Sequence, residues 1–229
     1  EQLFHRFYAN SLSQGIVSSH PQIEEVFRRW AEETPDAFLS NLEKNNDLKQ
    51  IVLSETPWLV QAETETAERK RIADFFDAER TTATLATLHD QLIKNQNTDG
   101  GWSWMPDYES NVWVTLLFIR GFGELQQMGC IDLDADNELK MCICKAIDYV
   151  DNCYYKDYLQ WLKWEKENRS FWKKLRIEPI CTNYLFARSY WTDVPFSAKT
   201  KQSFDYFYAA LKRVSHVDDG LMTKALTAL

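Results

Sequence analysis

The amino-acid sequence predicts an all-α protein, arranged as an α/α toroid of paired helices that is incomplete at both chain ends. Glycine (7 residues) and proline (6 residues) are scarce, whereas an all-β domain of this size needs many turns. Apolar residues recur at spacings of three and four along most of the chain, as on one face of an α-helix. Near the middle, a polar helical pattern is followed by a tryptophan-rich turn and an almost wholly apolar pattern. This outer helix, turn and inner helix form the repeating unit of a ring of paired helices.

Composition and charge narrow the possible classes further. Hydrophobic residues make up 45% of the 229 residues and include nine tryptophans, so residues 1–229 are expected to form a single helical domain with a sizeable core. The 26 basic and 34 acidic residues give a formal net charge of −8 without a basic stripe, so nucleic acid is not an expected partner. The chain has no run of about 18 apolar residues, so we expect no membrane contact by this part of the protein.

The first predicted helix spans Glu1–Ser19, and its helical spacing of apolar residues begins at the very start of the sequence. Because another pattern is still running at Leu229, we expect the chain to be a fragment of a larger multidomain protein. Pro21 and Pro35 each begin a helix, since proline suits the first helical position. A short helix then leads to a bend that Trp58 anchors.

The central structural turn follows one long predicted helix over residues 64–95, which contain neither glycine nor proline. Its sequence is Asp99-Gly100-Gly101-Trp102-Ser103-Trp104. The paired glycines permit backbone angles that are closed to other residues, and so allow a sharp turn. The two tryptophans, together with Trp113, are expected to pack into the core.

The helix after the turn is capped by Ser110 or Asn111, residue types that accept hydrogen bonds from free backbone N–H groups. Residues 112–119 are apolar almost all round, which predicts burial on nearly every side. We expect this helix to end after Gly121 and Gly123.

The last part of the chain predicts four more helices, for a total of about nine or ten. The apolar positions place them at 139–167, at 181–191, from Pro195 and Ser197 onward, and after Gly220.

The sequence contains no convincing metal site. The five cysteines (Cys130, Cys142, Cys144, Cys153 and Cys181) form no Cys-x-x-Cys pair, and we expect buried free thiols. Residues 132–136, Asp-Leu-Asp-Ala-Asp, resemble the start of a calcium loop but lack its glycine and glutamate. Helix capping before Leu139 is the preferred interpretation.

Three carboxylates near the turn (Asp99, Asp107 and Glu109) raise an alternative function. On the concave face of a toroid, carboxylates beside aromatic rings can serve as acid and base in sugar cleavage. The alternatives are therefore a carbohydrate-active toroid enzyme and a non-catalytic interaction scaffold. None of the four histidines has the spacing of a Ser/His/Asp triad.

Five stretches of the chain, taken in order, resemble one known family. They are residues 1–10 (EQLFHRFYAN), 40–45 (SNLEKN), 55–58 (ETPW), 99–104 (DGGWSW) and 184–189 (YLFARS). The set is similar to the thioester domain of bacterial alpha-2-macroglobulin proteins, especially the long forms of Bacteroidetes. The family fold is an α/α toroid, and its members trap proteases. The resemblance therefore implies an endopeptidase inhibitor that is not an enzyme, placed in the periplasm or cell envelope.

The resemblance also assigns one chemical role. In the family, a Cys-x-Glu-Gln motif forms an internal thioester between the cysteine sulfur and the glutamine side-chain carbonyl, and this thioester acylates the attacking protease. Glu1 and Gln2 match the end of that motif, so Gln2 is the implied acyl donor. The cysteine would lie two residues before Glu1, where none of the five cysteines stands. The implied partners are target proteases and other domains of the parent protein, with no cofactor.

Overall fold

The computed structural model describes residues 2–33, 78–168, 179–213 and 221–228. Within these ranges the protein is all helical and has no strand, as the sequence predicts. The described helices are α1 (Gln2–Ser19), α2 (Pro21–Glu33), α3 (Ala78–Lys94), α4 (Val112–Gln127), α5 (Asn137–Glu167), α6 (Pro179–Ser189), α7 (Ala198–Arg213) and α8 (Leu221–Ala228). The predictions at Pro35, for residues 48–53 and at Trp58 lie outside the described residues. The chain divides into two compact units, residues 5–88 and residues 1–4 with 89–229.

The smaller unit contains most of α1, all of α2 and the part of α3 that ends at Leu88. Phe7, Val17 and Leu88 are its buried apolar side chains among the described residues. The Gln14 side-chain amide donates a hydrogen bond to the Thr82 hydroxyl (3.2 Å), which links α1 to α3. Pro21 begins α2, as the sequence predicts.

In the larger unit, the helices from α4 to α7 alternate between two patterns of burial. Helices α4 and α6 are buried over most of their described lengths, whereas α5 and α7 bury one face and expose the other. Helix α4 packs against α5 and α6, and α7 also packs against α5 and α6. The last helix, α8, packs against α6. Helices α4, α5, α7 and α6 therefore contact one another in a cycle, each packing against two of the other three.

Helix α4 begins where the sequence predicts but ends later. Asn111 is its N-cap: the side-chain oxygen accepts hydrogen bonds from the backbone N–H groups of the next turn. The predicted end at Gly121 and Gly123 is wrong, because the helix continues to Gln127. A Cβ atom at Gly123 would lie 2.5 Å from the Tyr190 Cβ, so this glycine permits close packing inside the helix. The residue that ends the helix is Gly129, whose φ of +70° suits a C-terminal cap.

The predicted calcium-like loop caps a helix instead. The Asp136 carboxylate accepts the backbone N–H of Leu139 (3.0 Å) at the start of α5, and Asp132 accepts two N–H groups within the loop. No group of three or more metal-ligating side chains occurs among the described residues. The capping interpretation is therefore confirmed.

Candidate functional site

The tryptophan-rich turn is held by hydrogen bonds from both sides. Gly100 adopts a φ of +90°, and the Asp99 carboxylate accepts the Gly101 N–H (3.0 Å) and the Ser110 hydroxyl (2.6 Å). The Asn97 side-chain amide donates to the Tyr108 carbonyl (2.9 Å) and so spans the base of the loop. The turn is therefore a rigid platform rather than a loose connection between α3 and α4.

Trp102 anchors this platform to the helices that flank it. Its ring is 2% exposed, and its indole N–H donates to the Leu92 carbonyl at the end of α3 (2.9 Å). Its backbone N–H donates to the Thr115 hydroxyl on α4 (3.0 Å). Its ring lies against Phe118, with the centroids 4.9 Å apart. The prediction that Trp102 packs into the core is confirmed.

Trp104 and Trp113 contradict the same prediction. Trp104 is 54% exposed and Trp113 is 47% exposed, so neither ring is part of the core. Trp104 follows the turn in an irregular segment, and Trp113 lies in the first turn of α4 on its solvent side. Met105 and Tyr108 are exposed in the same segment. Trp102 is therefore the last buried residue before α4.

A pocket of about 420 Å³ opens beside the turn within the larger unit. Its floor consists of the buried residues Leu92, Trp102 and Phe118, and its rim includes exposed residues from α1, α3 and the loop. The rim residues are Gln2, Leu3, Asn95, Ser103, Trp104, Met105 and Pro106. None of the described side chains that line it carries a charge. The pocket is therefore an uncharged cavity of the size that small ligands occupy.

Gln2, the implied acyl donor, lies on the rim of this pocket. The residue is exposed at the start of α1. Two residues later, Phe4 is buried and stacks on Phe118 with ring centroids 4.3 Å apart. This stacking fixes the first turn of α1 against α4 and so positions Gln2 over the pocket. Glu1 lies outside the described residues.

The three carboxylates of the alternative enzyme do not line the pocket. Asp99 is occupied in the hydrogen bonds of the turn, and Asp107 and Glu109 are exposed. Asp107 has a φ of +65°, a strained backbone conformation for a residue with a side chain. The pocket therefore offers no facing pair of carboxylates for acid–base catalysis.

Asn95 and Met105 are pocket residues that the sequence analysis did not single out. Both lie within four residues of the predicted turn, so their closeness to it in the sequence could have identified them. Periodicity could not identify them, because the segment between α3 and α4 has no regular structure.

A second polar cluster is buried away from the pocket. Arg188 on α6 is 2% exposed, and its Nε lies 3.4 Å from the Asp151 carboxylate on α5. The Tyr184 hydroxyl donates to the same carboxylate (2.9 Å). The guanidinium also donates to the carbonyls of Trp191 and Val194 and lies over the Phe196 ring. Each of the three guanidinium nitrogens thus makes a hydrogen bond, one to α5 and two to the loop after α6, which makes this cluster a structural one.

All five cysteines are free, as the sequence predicts, but the expectation that they are buried is correct for only two of them. Cys142 and Cys181 are buried, whereas Cys130, Cys144 and Cys153 are half-buried. Burial raises the pKa of the Cys142, Cys144 and Cys153 thiols. Low thiolate content makes these cysteines weak nucleophiles.

Two further findings bear on function. Among the described residues, no helix combines the length and the apolar character that crossing a membrane requires. Comparison of the chain with protein-family models, with curated proteins and with solved structures found no match.

Proposed function

We propose that the chain belongs to the toroid of an alpha-2-macroglobulin-like protease-trapping protein, in which Gln2 supplies the acyl group of an internal thioester. The observation that carries the proposal is the position of Gln2. It shares one pocket with Ser103 and Trp104 of the turn, although about 100 residues separate them in sequence. Residues 1–10 and 99–104 are two of the five stretches on which the family resemblance rests.

The helix arrangement supports the toroid part of the proposal. In an α/α toroid, inner helices are buried on most sides and outer helices bury one face. Helices α4 and α6 have the first character, and α5 and α7 have the second. The fifth family-like stretch, residues 184–189, lies on the inner helix α6 and includes the buried Arg188.

The pocket offers one form of protection from water beside the exposed Gln2 side chain. Its floor is apolar, and the indole N–H of Trp102 is already bonded to the Leu92 carbonyl. The thioester forms when a cysteine thiol displaces ammonia from the Gln2 carboxamide, leaving an acyl–sulfur bond. An amine later attacks the acyl carbon, forms an amide with it and releases the thiol. An apolar floor slows hydrolysis by limiting the access of water.

The test uses a longer protein that contains the residues preceding Glu1. After treatment with methylamine, we expect an N-methylamide on Gln2 and release of one thiol, measured by peptide mass spectrometry and thiol titration. The Gln2→Ala variant of the same protein is the control and should give neither product. A cysteine at the predicted position without adduct or thiol release would refute covalent trapping.

Absence of that cysteine would also refute covalent trapping and would leave the non-catalytic scaffold. That scaffold would act by docking on the other domains of the parent protein. Hydrolysis of glycosides that is lost on substitution of Asp107 or Glu109 would instead favour the carbohydrate-active enzyme.

A further inference from the structure

We infer that the pocket beside the turn binds a neutral saccharide that carries an N-acetyl group. This inference goes beyond the proposed function and does not depend on it, because it concerns the chain with Gln2 as a free carboxamide. It rests on three properties of the pocket: an exposed aromatic ring, two carboxamides that have no hydrogen-bond partner within the described ranges, and an apolar floor.

The open ring belongs to Trp104. The side chain is 54% exposed and lines the pocket, so part of its surface is available to a ligand. A sugar ring presents a flat face of C–H groups that packs well on an indole. Within the described residues the indole N–H has no hydrogen-bond partner, and it can donate to a hydroxyl.

The carboxamides belong to Gln2 and Asn95, which are far apart in the sequence but lie on the same rim of the pocket. Neither side chain makes a hydrogen bond within the described residues, and both are exposed. Each carboxamide offers a donor and an acceptor together, which matches adjacent hydroxyls or an acetamido group. Ser103 adds an acceptor, since its own hydroxyl hydrogen is donated to the Met105 carbonyl (2.5 Å).

The floor explains the choice of an N-acetyl group. Leu92, Trp102 and Phe118 present buried apolar surface, and the only polar hydrogen of the Trp102 ring is already bonded. A plain hydroxyl placed there would lose its hydrogen bonds to water without replacement. The methyl of an acetamido group gains by burial, while its N–H and carbonyl remain near the rim carboxamides.

The absence of charge in the lining argues for a neutral ligand. The lining residues that the structure describes include neither a basic nor an acidic side chain, so a phosphorylated, sulfated or carboxylated sugar would find no counter-ion among them. A volume of about 420 Å³ lies in the usual range for small-ligand sites, about 300–1,000 Å³.

The experiment is isothermal titration calorimetry of this chain with two matched disaccharides. N,N′-diacetylchitobiose and cellobiose share their ring stereochemistry and linkage and differ at C2, where one bears acetamido groups and the other hydroxyls. We expect chitobiose to bind with a dissociation constant of about 1 mM or tighter, at least about tenfold better than cellobiose. Saturation-transfer NMR should show the acetamido methyl protons as the most strongly contacted.

Matched variants locate the binding. Trp104→Ala should weaken chitobiose binding by at least about tenfold, and Gln2→Ala with Asn95→Ala should do the same. Trp113→Ala removes an equally exposed tryptophan that does not line the pocket, and it should leave binding unchanged. Because these side chains are exposed, the variants are expected to fold, and circular dichroism checks this.

Three results would overturn the inference: no saturable binding of chitobiose, equal binding of both disaccharides, or unchanged binding in the Trp104→Ala variant. Binding of N-acetyl-phenylalaninamide in place of chitobiose would assign the pocket to an apolar peptide side chain instead. None of these outcomes involves the thioester, so failure here is distinct from failure of the proposed function.

Discussion

The indole N–H of Trp102 donates a hydrogen bond to the Leu92 carbonyl at 2.9 Å, and this bond joins the glycine turn to the end of α3. Because both groups are buried, neither can exchange its partner for water. The same ring forms part of the pocket floor beneath Gln2 and Trp104. The stability of the turn and the shape of the pocket therefore depend on one side chain.

Two substitutions of Trp102 separate the stability that its hydrogen bond provides from the stability that its packing provides. Trp102→Phe keeps an aromatic ring but leaves the buried Leu92 carbonyl unpaired, and we expect a loss of about 1–3 kcal/mol in unfolding free energy. Trp102→Ala also removes the packing against Phe118, and we expect a loss of about 3–5 kcal/mol. Urea unfolding followed by circular dichroism measures both. Trp164→Ala, at an exposed position on α5, is the control and should change stability by less than about 0.5 kcal/mol.

The two left-handed glycines provide a second matched comparison. At Gly100 a Cβ atom would lie 2.4 Å from the Lys145 carbonyl oxygen, whereas at Gly129 it would meet no atom within 4 Å. Gly129→Ala should therefore lose only the backbone preference, about 1–2 kcal/mol. Gly100→Ala should lose about 1–3 kcal/mol more, because the backbone of α5 must move. Equal losses in thermal or urea unfolding would show that the turn does not press against α5.

The buried pair of Arg188 and Asp151 predicts strong coupling. Arg188→Met leaves the Asp151 carboxylate buried without its cation, and we expect a loss of about 3–5 kcal/mol. Adding Asp151→Asn to that variant should recover part of the loss, because a neutral amide can still accept the Tyr184 hydroxyl. A double-mutant cycle in urea measures the coupling free energy. Additive losses would show that the two side chains do not interact.

The free energy of unfolding should depend on pH through one buried and one half-buried thiol. Burial raises the pKa of Cys142 and Cys153 in the folded protein. The folded state therefore holds these protons more tightly than the unfolded chain, and the resulting stabilisation is present below the ordinary thiol pKa and is lost as the pH rises above it.

The same shift slows alkylation. Near neutral pH, iodoacetamide should modify both cysteines far more slowly in the folded protein than in guanidinium chloride, as followed by peptide mass spectrometry. The folded-state rate should increase as the pH is raised above the ordinary thiol value. Equal rates in the folded and unfolded protein would contradict the assignment.

Much of the helical architecture could be predicted from local patterns. The boundaries at Ser19 and Pro21, the cap at Asn111 and the long helix α5 follow from apolar spacing and from capping residues, which act within a few positions of the chain. The error at Gly121 and Gly123 has a tertiary origin. Glycine inside a helix normally lowers its stability, but here the packing of Tyr190 against Gly123 compensates.

The tryptophans show a second limit of local patterns. Trp102, Trp104 and Trp113 have equal hydrophobicity, and all three were expected in the core. Of the three, Trp102 alone has both an acceptor for its indole N–H and an aromatic neighbour within the part of the chain that the structure describes. Trp104 and Trp113 lie between the end of α3 and the first turn of α4, where their side chains remain exposed.

The sequence by itself determined the all-helical class, the free cysteines, the capping role of the aspartate-rich loop and the sharp turn at Gly100, because each depends on residue type and short spacing. The tertiary structure alone decided that Gln2 and Asn95 share a pocket with Trp104, and that Arg188 pairs with Asp151. Such long-range contacts form when whole helices pack against one another. Side chains from several helices then fill the interior together at high density. The chemistry of the pocket therefore depends on an arrangement that local patterns do not specify.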